Sequence, residues 1–103
     1  MIDLVLEKLP QIKSICERHG VRKMELFGSA ARDDFRPDAS DLDFAVEFFD
    51  ISALQRFRAR LDLEDEMGAL FGRKADIVEL EDVKNPYVLK TILEDKQPVY
   101  AAA

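Results

Sequence analysis

Phe27-Gly28-Ser29-Ala30-Ala31-Arg32 and, after a polar loop, Ser40-Asp41-Leu42-Asp43-Phe44-Ala45-Val46-Glu47 are the stretches on which the reading of this chain turns. The first ends an apolar run with a Gly-Ser pair. The second opens another apolar run with two aspartates one residue apart. On an extended strand alternate side chains share a face, so Asp41 and Asp43 are expected on the same side, roughly 6–7 Å apart. Carboxylates that close repel each other and lose hydration unless a cation sits between them. Mg²⁺, a hard cation that takes carboxylate oxygens together with phosphates, fits that need. Gly28 permits a close backbone approach, and amides opening a following helix would cradle phosphate. A phosphate grip beside a carboxylate pair describes a phosphoryl- or nucleotidyl-transfer site.

The bulk numbers bound the rest. A chain of 103 residues reads as one domain, residues 1–103, with a single modest core. No apolar run reaches the length of a membrane span, and the N-terminus lacks the basic start and apolar block of a signal peptide. The lone cysteine, Cys16, has no internal partner, which suits a reducing cytoplasm. A net charge of −6 argues against a broad nucleic-acid footprint and leaves room for a basic protein partner.

Residues 3–19 read as helix, with Asp3 a candidate N-cap, Pro10 marking a break or a new first turn, and Gly20 a stop. Ile12, Ile15, Cys16 and His19 form its apolar stripe, so Cys16 is read as core and His19 as a helix-end residue rather than a catalytic one. Val21–Phe27 is a strand, and Gly28-Ser29 turns into a short helix ending near Asp34. Arg36-Pro37-Asp38 is turn-rich. A second strand runs from Asp41 to Phe48. A long helix over 51–71 carries Leu54, Phe57, Leu61, Met67, Leu70 and Phe71 as its apolar pattern, with Gly72 past its end. Arg56, Arg58 and Arg60 and the acids at 62 and 64–66 read as its solvated face. Lys74–Leu80 is a third strand, notable for Asp76, because Asp is depleted from strands. Pro86 opens a helix to Lys96 with the stripe Val88, Leu89, Ile92 and Leu93. Gln97–Tyr100 is an edge strand and Ala101–Ala103 a frayed tail. The order gives an α/β or α+β fold, a small mixed sheet backed by helices.

Gly28-Ser29, Arg32, Ser40-Asp41-Leu42-Asp43 and Lys74-Ala75-Asp76-Ile77-Val78 together resemble the minimal nucleotidyltransferases, small relatives of the DNA polymerase β superfamily. Asn85-Pro86-Tyr87 and Pro98-Val99-Tyr100 resemble that family's last helix and strand, so the likeness spans residues 10 to 101. It implies that Asp41, Asp43 and Asp76 ligate Mg²⁺ and carry catalysis, while Gly28, Ser29 and Arg32 bind the nucleotide, with ATP as substrate. It implies a partner too, a HEPN-type ribonuclease toxin. The chain would be the antitoxin that adenylylates a toxin tyrosine in the cytoplasm. The alternative is a catalytically weak binding module that neutralises the toxin by stoichiometric occlusion. Two departures bear on that choice. Asp33 stands where relatives commonly have Gly, and eleven residues separate Ser29 from Asp41, one more than the family spacing, which suggests a bulge at Ala39.

Overall fold

The computed structural model describes residues 1–32, 34, 36 and 40–103. The expectations attached to Asp33, to Pro37-Asp38 and to a bulge at Ala39 lie outside the described residues. Two helices, α1 (Asp3–Leu6) and α2 (Leu9–Arg18), lead into β1 (Val21–Phe27) and a 3₁₀ coil, Gly28–Ala30. Then come β2 (Leu42–Phe48), α3 (Ala53–Phe71), β3 (Ala75–Glu79), a second 3₁₀ coil (Leu80–Asp82), α4 (Pro86–Asp95) and β4 (Gln97–Ala101). The sheet order is β3-β2-β1-β4; β2 and β3 run parallel and the other neighbours antiparallel. This is the expected mixed α+β sheet.

Alternation divides the sheet. Met24 and Leu26 of β1 stand opposite Val46 and Phe44 of β2, and Leu42 and Phe44 stand beside Ala75 and Ile77 of β3; all are buried. Against this face pack Ile12, Ile15 and Cys16 of α2 and Leu63, Met67 and Phe71 of α3. The Phe44 and Phe71 rings stack with centroids 6.3 Å apart. Cys16 is core as expected: burial pushes its thiol up to about 12 and its Sγ lies 3.9 Å from Met24 Sδ. The other face carries Lys23, Glu25 and Phe27 of β1 and Asp43, Ala45 and Glu47 of β2, which pair across the two strands. The site lies on that face.

Three local readings are corrected. Asp3 is not a cap: Ile2 holds that position with no side-chain bond, and Pro10 begins a separate helix. The apolar pattern of α3 comprises two lines, and only one can face the sheet. Ala59, Leu63, Met67 and Phe71, four residues apart, are buried, whereas Leu54, Phe57 and Leu61 lie further round the helix and are exposed. The tail does not fray at once, because Ala101 pairs with Lys23 and Ala102 N–H donates to the Arg22 carbonyl at 2.9 Å. The α3 boundaries are set by a capping box the sequence reading missed. Ser52 Oγ accepts from Gln55 N–H at 3.1 Å and Gln55 Oε1 accepts from Ser52 N–H at 2.8 Å. At the far end Gly72 adopts φ +65°. Asn85 caps α4 by accepting from Tyr87 and Val88 N–H. In α4 only Ile92 is fully buried; Val88 and Leu93, placed in its stripe, are exposed.

Candidate functional site

Asp43 is the centre of the site. It sits in β2 with Asp76 beside it on β3 and Phe27 opposite it on β1. Adjacent strands lie about 4.8 Å apart, so the two aspartates are immediate lateral neighbours on one face. Asp41 falls just ahead of β2 rather than within it, exposed at the strand's mouth, where Leu42 N–H donates to the Lys74 carbonyl. Burial first, then the charges of Asp76 and Asp41, push the Asp43 carboxyl up to about 6; Arg32 and Lys74 pull the other way. Asp43 and Asp76 thus lie side by side with Asp41 just ahead of β2 at one end of the sheet, and Arg32 and Lys74 are near enough to act on Asp43.

Gly28 closes the floor. Its φ is +75°, and a Cβ there would stand 2.5 Å from Asp43 Oδ2. Any side chain would meet both backbone strain and the carboxylate itself. The close approach expected of Gly28 is thus an approach to Asp43. The coil that follows is shorter than expected. Instead of a helix reaching Asp34 there are three 3₁₀ residues, and the amides of Ala31 and Arg32 turn back to the Gly28 carbonyl at 3.1 and 3.0 Å. One such coil has little aligned dipole to offer an anion. That shifts the weight of an anion grip onto the side chains of half-buried Ser29 and exposed Arg32.

Arg32 is held. Its Nη1 donates to Asp95 Oδ2 at 2.6 Å, and its Nε lies 3.5 Å from Asp34 Oδ1. Those partners raise the Arg32 pKa, the hydrogen bond to Asp95 foremost. Lys74 Nζ lies 3.6 Å from Asp76 Oδ1. Glu47, further along the same strand face, pairs with Arg22 at 3.7 Å and stands apart from the aspartates. His19 Nε2 is hydrogen-bonded to Glu66 of α3, which Arg18 also meets at 2.7 Å, so the end of α2 is tied to α3.

Three carboxylates offering hard oxygen donors from one sheet edge fit a divalent cation such as Mg²⁺ in donor chemistry. Among the described residues no three or more His, Cys, Asp or Glu side chains are placed so that together they could hold a metal ion, so the fit is one of donor chemistry and not of a preformed site. Sequence reasoning passed over Lys74 as a charge partner and Asp95 altogether. Asp95 had a signal. An acid in the last turn of a helix opposes the macrodipole and calls for a cation nearby.

Residues 9–99 match the nucleotidyltransferase domain family. The protein adenylyltransferase MntA of Thermococcus cleftensis is 35% identical over 100 residues, spanning 92% of this chain and 96% of that protein. A solved structure of a proposed minimal nucleotidyltransferase superposes with a TM-score of 0.68 at 31% identity, covering 94% of this chain and 96% of the other. A chain from the complex of tri-AMPylated Shewanella oneidensis HEPN toxin with MNT antitoxin superposes with a TM-score of 0.66, covering 95% of this chain and 73% of its own. At 16% identity that last likeness shows the fold alone. With a family match across most of its length and a relative this similar, the chain belongs to the nucleotidyltransferase family.

Proposed function

We propose that this nucleotidyltransferase is an antitoxin that uses Mg²⁺ and ATP to transfer AMP to a tyrosine of a cognate HEPN-type ribonuclease toxin. The observation that carries the reading is the register of β2 and β3, which sets Asp76 beside Asp43 with Asp41 one step ahead. Support for the substrate class comes from relatives, one named a protein adenylyltransferase and one solved with an AMPylated HEPN toxin. No helix among the described residues is long and apolar enough to cross a membrane.

Asp41, Asp43 and Asp76 would hold Mg²⁺, which would supply charge neutralisation at the α-phosphate. Ser29 donates its hydroxyl to the β- and γ-phosphates, and Arg32 neutralises the pyrophosphate as it leaves. The tyrosine oxygen bonds to the α-phosphorus and the bond from that phosphorus to pyrophosphate breaks. Asp76, on the acceptor side, takes up the phenol proton. The products are a toxin tyrosine carrying AMP on its phenol oxygen and pyrophosphate. Lys74 Nζ, 3.6 Å from Asp76 Oδ1, gives that carboxylate a cation neighbour.

The test is turnover. A trace of the chain with Mg²⁺ and ATP, added to excess ribonuclease encoded beside its gene, is expected to silence the ribonuclease and release pyrophosphate. Protection that needs equimolar chain and no ATP would replace this reading with occlusion.

A further inference from the structure

Arg32 lies just past a three-residue 3₁₀ coil, so its own segment gives the side chain little support. Its support comes from across the chain. Asp95, the last residue of α4, is largely buried, its side chain 17% exposed, and it accepts from Arg32 Nη1 at 2.6 Å. An acid at that end of a helix faces the negative pole of the dipole, and burial costs it hydration; the short charge-assisted bond to Arg32 offsets both. The end of α4 is itself anchored. Lys96, the next residue, lies 3.4 Å from Glu25, a buried carboxylate on the same sheet face as Asp43. Nε is turned to Asp34 and Nη1 to Asp95, so Nη2 is the guanidinium nitrogen that neither of these contacts takes up. Arg32 is also close enough to Asp43 to favour its ionised form.

We infer that Asp95 is a positioning residue for nucleotide binding: its carboxylate, fixed at the end of α4, holds the Arg32 guanidinium so that Nη2 meets the β- and γ-phosphates of ATP. The inference rests on the nucleotide site proposed above and adds the residue that orients its cation. A guanidinium tied at one edge loses less freedom when it takes a phosphate at another. Asp95 touches no substrate in this account and acts wholly through Arg32.

The experiment is a double-mutant cycle read by equilibrium titration with Mg·ATP and, separately, with AMP. Asp95→Ala is expected to weaken Mg·ATP by about five- to tenfold, part of one charge-assisted contact, and to leave AMP unchanged. In an Arg32→Ala background the same substitution should change nothing further. Asp95→Asn, which keeps the shape and a neutral acceptor, should weaken Mg·ATP by about two- to threefold and serves if the alanine variant does not fold. Tighter Mg·ATP binding on loss of Asp95 would show that the contact competes with the nucleotide and overturn the inference. So would an equal loss for AMP, or a loss that persists without Arg32. If the unsubstituted chain fails to bind Mg·ATP, the nucleotide site itself is wrong, an outcome distinct from any of these.

Discussion

Gly28 and Asp43 are in mutual contact across the β1–β2 turn: the space a Gly28 Cβ would need lies 2.5 Å from Asp43 Oδ2. Position 28 therefore needs a glycine because Asp43 fills the space a side chain would take. Two residues fifteen positions apart in the chain form one object.

That contact predicts a difference between two glycines. Gly20 and Gly28 both have positive φ, +68° and +75°, but nothing lies within 4 Å of a Cβ at Gly20. Alanine at Gly20 should cost only the backbone term, about 1 kcal/mol. Gly28→Ala adds the clash and should cost about 2–3 kcal/mol in all, since a carboxylate must move. It should also remove Mg·ATP binding, which Gly20→Ala should leave alone. Thermal melts with and without Mg·ATP check both. Equal costs at the two positions would mean that Asp43 can turn aside freely.

The raised pKa of Asp43 gives a pH signature. With the folded value near 6 and the unfolded value about 3.9, the fold favours the protonated carboxyl. That contribution is complete below the unfolded value and is lost as pH rises through about 6. Without metal, Asp43→Asn should therefore be more stable than its parent at pH 8, by roughly 1–2 kcal/mol after solvent screening, and no more stable at pH 4. Mg·ATP should raise the melting temperature of the parent and not of the variant. A variant less stable at pH 8 would make Asp43 a structural anchor.

The two apolar lines of α3 make a third prediction. Leu63 is fully buried and Leu61 is 44% exposed. Leu63→Ala should cost about 2–4 kcal/mol, whereas Leu61→Ala should stay within about 0.5 kcal/mol. Denaturant titration decides between this and the reverse order that the expected pattern implied.

Those outcomes bear on how far the sequence could be read. Strand β1 was legible to its ends because Gly20 and Gly28 bracket it, and Asp76 stood out because Asp is depleted from strands. The face of α3 was not. Leu54, Phe57 and Leu61 keep helical spacing among themselves, and periodicity alone does not say which of two apolar lines meets a sheet. The Arg32–Asp95 bond spans 63 residues, and only the fold shows it. The segment after Gly28-Ser29 was read as a short helix, and only the structure shows the three-residue 3₁₀ coil and the approach of Gly28 to Asp43.

Covalent transfer of AMP to a protein by the three aspartates has its sharpest test in the intact mass of the partner ribonuclease after incubation with a trace of this chain, Mg²⁺ and ATP. A gain of one or more AMP units on the ribonuclease is expected. Asp41→Asn and Asp76→Asn should abolish that gain, while Ser29→Ala, which removes one neutral hydrogen bond worth about 0.5–1.5 kcal/mol, should only slow it. An unchanged mass alongside full protection by equimolar chain, with the aspartate variants protecting equally well, would contradict it.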